Sequence, residues 1–193
     1  MKKKEWVYRE ILYQVLEKRE NFITQKFLSE RCEVSLGNVN HAIKPLEEMN
    51  AIEKKPRGFR VIDAKKILLF WASIRNLNGD IVYQTFSNKS VIEIEKMMPK
   101  SIFTSYSEFK LRFNSAPSDY SEVFVYSDVK EVEERFPKKE GKSNVIVLKQ
   151  DKHLMKFKQV PLGQLFVDLW NIGTWYSQEF LKALEVKING ILE

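Results

Sequence analysis

The sequence predicts an α/β chain, α+β overall: a helical unit with a basic β-hairpin, then an α/β body with a small mixed sheet and C-terminal helices. Three observations predict this. Up to about residue 50 the apolar residues recur at helical spacing, and two short extended runs joined by Pro56-Arg57-Gly58 follow at once. From residue 63 onward helical and extended patterns alternate. Two of the later runs, Glu122–Tyr126 and Asn144–Leu148, are apolar on both faces, which implies a sheet covered on both sides.

The totals bound the answer before any motif does. The 193 residues suffice for one large or two small cores, and 44% hydrophobic with 30% charged residues marks a globular chain. The net charge of +6 leans towards polyanions. Residues 1–62 hold 13 Lys+Arg against 9 Asp+Glu, a net +4, so most of the excess sits in the first third. A single cysteine, Cys32, excludes an internal disulfide and a cysteine-cluster metal site. Nothing near Cys32 in sequence would lower its pKa, so it is expected as a small buried hydrophobe. Lys2-Lys3-Lys4 leads into an amphipathic, acid-containing helix with no cleavable signal. The longest apolar run, around Ile67 to Ala72, is too short for a bilayer, so the expected location is the cytoplasm, with no membrane.

In chain order, Trp6–Leu16 carries Val7, Ile11 and Val15 on one stripe with Tyr8, Leu12 and Leu16 beside it, a helix with a wide buried face. Thr24 is placed to cap a short helix, Gln25–Arg31, and Ser35 to cap the next. In that second helix Val39, Ile43 and Leu46, with Ala42 and Met49, face a core. Asn38, Asn40, His41 and Lys44 face outward, a set able to hydrogen-bond to base edges and a phosphate. Pro45 is expected to kink the helix and deflect Lys44. Short helix, turn and capped helix make a helix-turn-helix. The hairpin Ala51–Ile62 then reads as a wing, with Lys54, Lys55, Arg57 and Arg60 placed to grip phosphates; Pro56 presets one turn dihedral and Gly58 supplies a positive φ.

Residues 5–62, through "FITQKFLSERCEVSLGNVNHAIKPLEEMNAIEKKPRGFRV", resemble a winged helix-turn-helix domain of the MarR/ArsR-like kind. The resemblance implies that Ser35, Asn38, Asn40, His41 and Lys44 face a DNA groove and that Lys54, Lys55, Arg57 and Arg60 form the wing. Thr24, Gln25 and Gly37, at the starts of the two helices, complete the candidate DNA-binding set.

From residue 63 the expected elements are a buried helix capped by Asp63 (64–76), a strand (81–86), a helix (91–98), a strand (102–104), a helix (106–113), the strand at 122–126, a helix (129–136) and the strand at 144–148. The 64–76 helix is apolar on most sides and serves as a spine between two domains or as a dimer interface. A helix then starts at Pro161 and ends at Gly173, and Thr174 caps the last one. The domains are therefore expected at 1–62 and 63–193. The stretches "FRVIDAKKILLFWASIRNL", "IFTSYSEFKLRF", "DYSEVFVYSD" and "PLGQLFVDLWNIGTWYSQEFLKAL" resemble a group of archaeal winged-helix proteins whose second domain is similar to that of the AbiEi antitoxins, a degenerate relative of the nucleotidyltransferase fold. The resemblance implies a DNA-binding, repressor-like protein; the expected partners are double-stranded DNA and a second copy in a homodimer, with a protein partner (a toxin or another regulator) left open.

Catalysis finds little support. A nucleotidyltransferase needs a Gly-Ser turn and paired carboxylates for magnesium; no Gly-Ser occurs, and Glu93 and Glu95 fall on opposite faces of their expected helix. The alternatives to a DNA-binding regulator are an antitoxin-like protein-interaction module and, behind it, a nucleotidyltransferase. The expected sets of catalytic, metal and cofactor residues are empty. His153 is expected at the surface, Pro137–Lys142 as a solvated loop, and the groups Phe70-Trp71, Phe166-Trp170 and Trp175-Tyr176-Phe180 as core ahead of a ligand pocket.

Overall fold

The computed structural model describes residues 1–192 and is a mixed helix-and-strand fold. Helix α1 (Lys3–Lys18) buries Val7, Tyr8, Ile11, Leu12 and Leu16, the stripe its spacing sets. It ends on Arg19 in the left-handed region, and β1 (Phe22–Ile23) follows. The Thr24 hydroxyl accepts the Phe27 amide at 3.1 Å and opens α2 (Gln25–Cys32). The Ser35 hydroxyl accepts the Asn38 amide at 3.2 Å and opens α3 (Leu36–Glu48). Helix α3 runs continuously through Pro45 to Glu48. The proline removes one amide near the helix end, while burial of Ile43 and Leu46 on either side holds the last turn on the core.

Strands β2 (Ile52–Lys55) and β3 (Gly58–Val61) form an antiparallel hairpin, and β1 adds on the far side of β3 to give the order β1-β3-β2. The turn corrects one expectation. Arg57, not Gly58, takes the positive φ (70°), as the third residue of a turn with proline second requires. Gly58 is needed for a different reason: a Cβ there would lie 2.6 Å from the Ile23 carbonyl oxygen of β1.

Asp63 caps α4 (Ala64–Ile74) by accepting the Lys66 amide at 2.9 Å. Then come β4 (Ile81–Thr85), α5 (Val91–Met97), β5 (Ile102–Thr104), α6 (Ser105–Phe113), β6 (Val123–Ser127), α7 (Val129–Arg135), β7 (Val145–Lys149), α8 (Leu162–Trp170) and α9 (Ser177–Leu192). The second sheet has the order β4-β7-β6-β5; β6 and β7 are parallel, and the two outer pairs antiparallel. Its central strands are buried on both faces. Phe124, Tyr126, Ile146 and Leu148 meet the core of α1, α4, α8 and α9, while Val123, Val125, Val145 and Val147 meet Ile94 of α5 and Val132 of α7.

In helix α4, Ile67, Leu68, Trp71 and Ala72 are buried, and the helix packs on α1 and α8. The core therefore runs across residues 62 and 63 without a break. Two helix ends differ from expectation. Helix α8 stops at Asn171, whose side chain donates to the carbonyls of Val167 (2.9 Å) and Ala72 (3.1 Å). Thr174 caps nothing by its side chain; its hydroxyl pairs with Tyr106 at 2.6 Å, and α9 begins at Ser177.

Helices α1 and α8 approach closely at Gly163, where an added Cβ would lie 2.9 Å from the Cβ of Leu12. Gly163→Val is therefore expected to destabilise the fold by about 1–3 kcal/mol through overpacking, read as a lower urea midpoint. An unchanged midpoint would show that the two helices are free to separate.

Candidate nucleic-acid interface

Helix α3 turns Val39, Ala42, Ile43 and Leu46 inward, which fixes what faces out. Ser35, Gly37, Asn38, Asn40, His41 and Lys44 are all exposed. The first five together offer two carboxamides, a hydroxyl and an imidazole. Leu36, absent from the expected set, is also 52% exposed on this surface.

The hairpin stands beside α3 and divides its cations by strand alternation. Lys54 shares a face with Ile52 and reaches back towards α3, where its Nζ lies 2.6 Å from Glu47. One hollow between helix and hairpin is lined by Gln25, Lys26, Leu36, Lys54, Lys55, Arg57 and Gly58. A second, farther along the same side of α3, is lined by Asn40, His41, Lys44, Glu47 and Lys54 among others. Lys54 borders both hollows. Arg60 borders neither: it is exposed on β3, in register with Glu53 on one side and Phe22 on the other. Thr24 and Ser35 are occupied as helix caps, so what they still offer is a hydroxyl proton.

Three of the lysines have acidic neighbours. Lys54 pairs with Glu47 (2.6 Å), Lys55 with Glu53 (2.6 Å) and Lys44 with Glu48 (3.9 Å). Exposed pairs like these are worth at most about 1 kcal/mol each, so a phosphate displaces the carboxylate at little cost. Arg57 makes no ion pair among the described residues. It stands at the turn tip in a backbone conformation that glycine adopts more easily, and presents five donors to solvent.

The remaining chemistry-bearing residues are committed elsewhere. Glu93 closes a capping box with Ser90, accepting its amide at 2.8 Å, while Glu95 is held by Lys110 (2.8 Å) and Tyr120 (2.6 Å). No group of three or more His, Cys, Asp or Glu side chains among the described residues is arranged to hold a metal ion. Cys32 is buried, and burial followed by the nearby Glu10 carboxylate pushes its thiol up to about 12. Trp71, Phe166 and Phe180 are core; Trp170 and Trp175 are instead 43% and 74% exposed. In the Pro137–Lys142 loop, Lys138 donates to the Gln84 carbonyl at 2.6 Å, which covers part of the β4 edge.

His153 overturns its expectation. It is buried among Arg9, Glu10, Asp151 and Cys32, where α1 and α2 meet the segment after β7. Burial holds its imidazole below the ordinary histidine pKa. No helix is long and apolar enough to cross a membrane among the described residues. No family model, curated protein or solved structure matches the chain.

Proposed function

We propose that this chain is a sequence-specific, double-stranded DNA-binding transcriptional regulator, a repressor acting as a homodimer in the cytoplasm. One observation carries the reading: a capped helix exposes amide and imidazole groups beside two adjoining hollows that share Lys54 and are rimmed by Lys26, Lys44, Lys55 and Arg57. Amide and imidazole groups suit base edges, and the cations along the hairpin side of the helix suit a phosphate backbone. In this reading α3 enters the major groove, the hairpin is the wing, and two copies set their helices ~34 Å apart. The winged-helix and antitoxin-like resemblances agree with this reading.

The test is salt-dependent binding. The doubly substituted Lys54→Ala/Arg57→Ala protein is expected to bind every duplex about tenfold more weakly at low salt. The slope of log affinity against log salt should shrink by about 2, one phosphate contact for each cation. Asn40→Ala should instead narrow the gap between preferred and random sequences. Wild-type protein that binds no genomic fragment at low salt would sink the proposal.

The antitoxin-like alternative, a module that binds a protein partner, draws on a different surface. Trp175 and Val186 are the most exposed large apolar side chains among the described residues, at 74% and 72%. Neither borders the two hollows beside α3.

A further inference from the structure

We infer that Leu36 reads the C5-methyl group of a thymine, so that the preferred DNA carries an A·T pair beneath the start of α3. The inference rests on the DNA-binding reading and adds which base chemistry the helix selects. Leu36 is the first residue of α3, the end of a groove-reading helix that comes nearest the base edges. It is 52% exposed, whereas Val39, Ala42 and Ile43 of the same helix supply the core contacts. The fold thus gains little from an aliphatic side chain at this position.

The surroundings say what such a side chain would meet. Leu36 lines the same hollow as Gln25, Lys26, Lys54, Lys55 and Arg57. An apolar tip among four cations suits a ligand that is anionic at its edges and presents an apolar spot between them. Duplex DNA fits, since the thymine methyl is the one apolar group on the base edges of the major groove. The neighbouring residue points the same way. Nothing in the fold requires glycine at position 37: an added Cβ would meet only the Ser35 hydroxyl, at 3.8 Å. A glycine inside a helix weakens it, so its value here is the clearance it leaves beside Leu36 for a base to approach. Asn40, exposed one turn farther along the same face, carries the carboxamide that pairs with the N6 and N7 edge of adenine, the partner of thymine.

The experiment uses duplexes selected by the wild-type protein from a random pool, with each thymine then replaced singly by deoxyuridine, which removes the methyl alone. One replacement is expected to weaken wild-type binding about fourfold, the worth of one buried methyl. Leu36→Ala should bind the thymine duplex about that much more weakly and no longer distinguish it from the uracil duplex. Leu36 is exposed, so its truncation leaves the core contacts intact, and an unchanged melting temperature verifies it. Selected duplexes bound equally well with every thymine replaced would overturn the inference while leaving DNA binding intact. Discrimination that persists in Leu36→Ala would assign the methyl contact to another residue and overturn it too. Failure to bind any duplex would overturn both readings together.

Discussion

Arg9→Met is expected to lower the free energy of unfolding by about 3–5 kcal/mol, the usual result of breaking a buried ion pair from one side. Arg9 is fully buried on α1, and its guanidinium grips Asp151 with both ends, Nη1 to Oδ1 at 2.8 Å and Nη2 to Oδ2 at 2.7 Å. Burial opposes the charge on Asp151, but the Arg9 bonds outweigh it and hold the carboxyl below its ordinary value. Arg9 Nη1 also lies 3.1 Å from His153 Nδ1, which makes that nitrogen the acceptor. The imidazole proton then sits on Nε2, donated to Glu10 at 2.8 Å. Methionine fills the space and leaves Asp151 with the Leu154 amide, at 2.8 Å, as its remaining partner. Urea titration would measure the loss, and Arg9→Met/Asp151→Asn should recover part of it because the stranded charge is gone. A single variant within 1 kcal/mol of wild type would show that Asp151 reaches water.

That cluster also marks where sequence reading stops. Helices α1 to α3 and the hairpin were legible because their signals are local: Thr24 and Ser35 cap the residues three places on, and Val39, Ile43 and Leu46 share a face by spacing alone. The exposed set on α3 follows from the same periodicity. His153 was not legible. Its neighbours in sequence, Asp151 and Lys152, are those of a surface loop, and its partners Arg9 and Glu10 lie 144 and 143 residues away. The reason for Gly58 was hidden likewise, because the Ile23 carbonyl that excludes a side chain belongs to another strand. In the second sheet the strands could be found by their apolar runs, but not their order. Nothing local announces that β7 lies between β4 and β6, or that β6 and β7 run parallel. Leu36 was missed for a simpler reason. An apolar residue at the first position of an apolar helix passes for core, and only its exposure sets it apart.

Stability is expected to fall as pH rises from about 4.5 through about 7, by about 3 kcal/mol from one residue, Glu108. Glu108 is buried on α6, and burial is the main cause that lifts its carboxyl from 4.5 to about 7; Arg112 opposes the shift, and Glu17 adds to it. The geometry explains why one guanidinium does not suffice. Arg112 Nε donates to Glu108 Oε1 at 2.9 Å and its Nη2 lies 2.9 Å from the same oxygen, but Nη2 is shared with the Val160 carbonyl and Nη1 stays 3.8 Å from Glu17. Glu17 is itself raised, chiefly by burial, while accepting the Leu162 amide at the start of α8. A carboxyl whose folded pKa lies above its unfolded value binds its proton more tightly in the folded chain. Its contribution is therefore complete below about 4.5 and lost as pH passes about 7. His153 works the other way: its lowered pKa removes stability as pH falls below about 6.5. Glu108→Gln isolates the carboxyl, because the amide keeps an oxygen for Arg112 and cannot titrate. Urea midpoints measured from pH 5 to pH 8 should converge or cross for wild type and variant, with the variant flatter. Parallel curves would mean that Glu108 ionises near its ordinary value and that the contact between α1, α6 and α8 is wetter than its burial indicates.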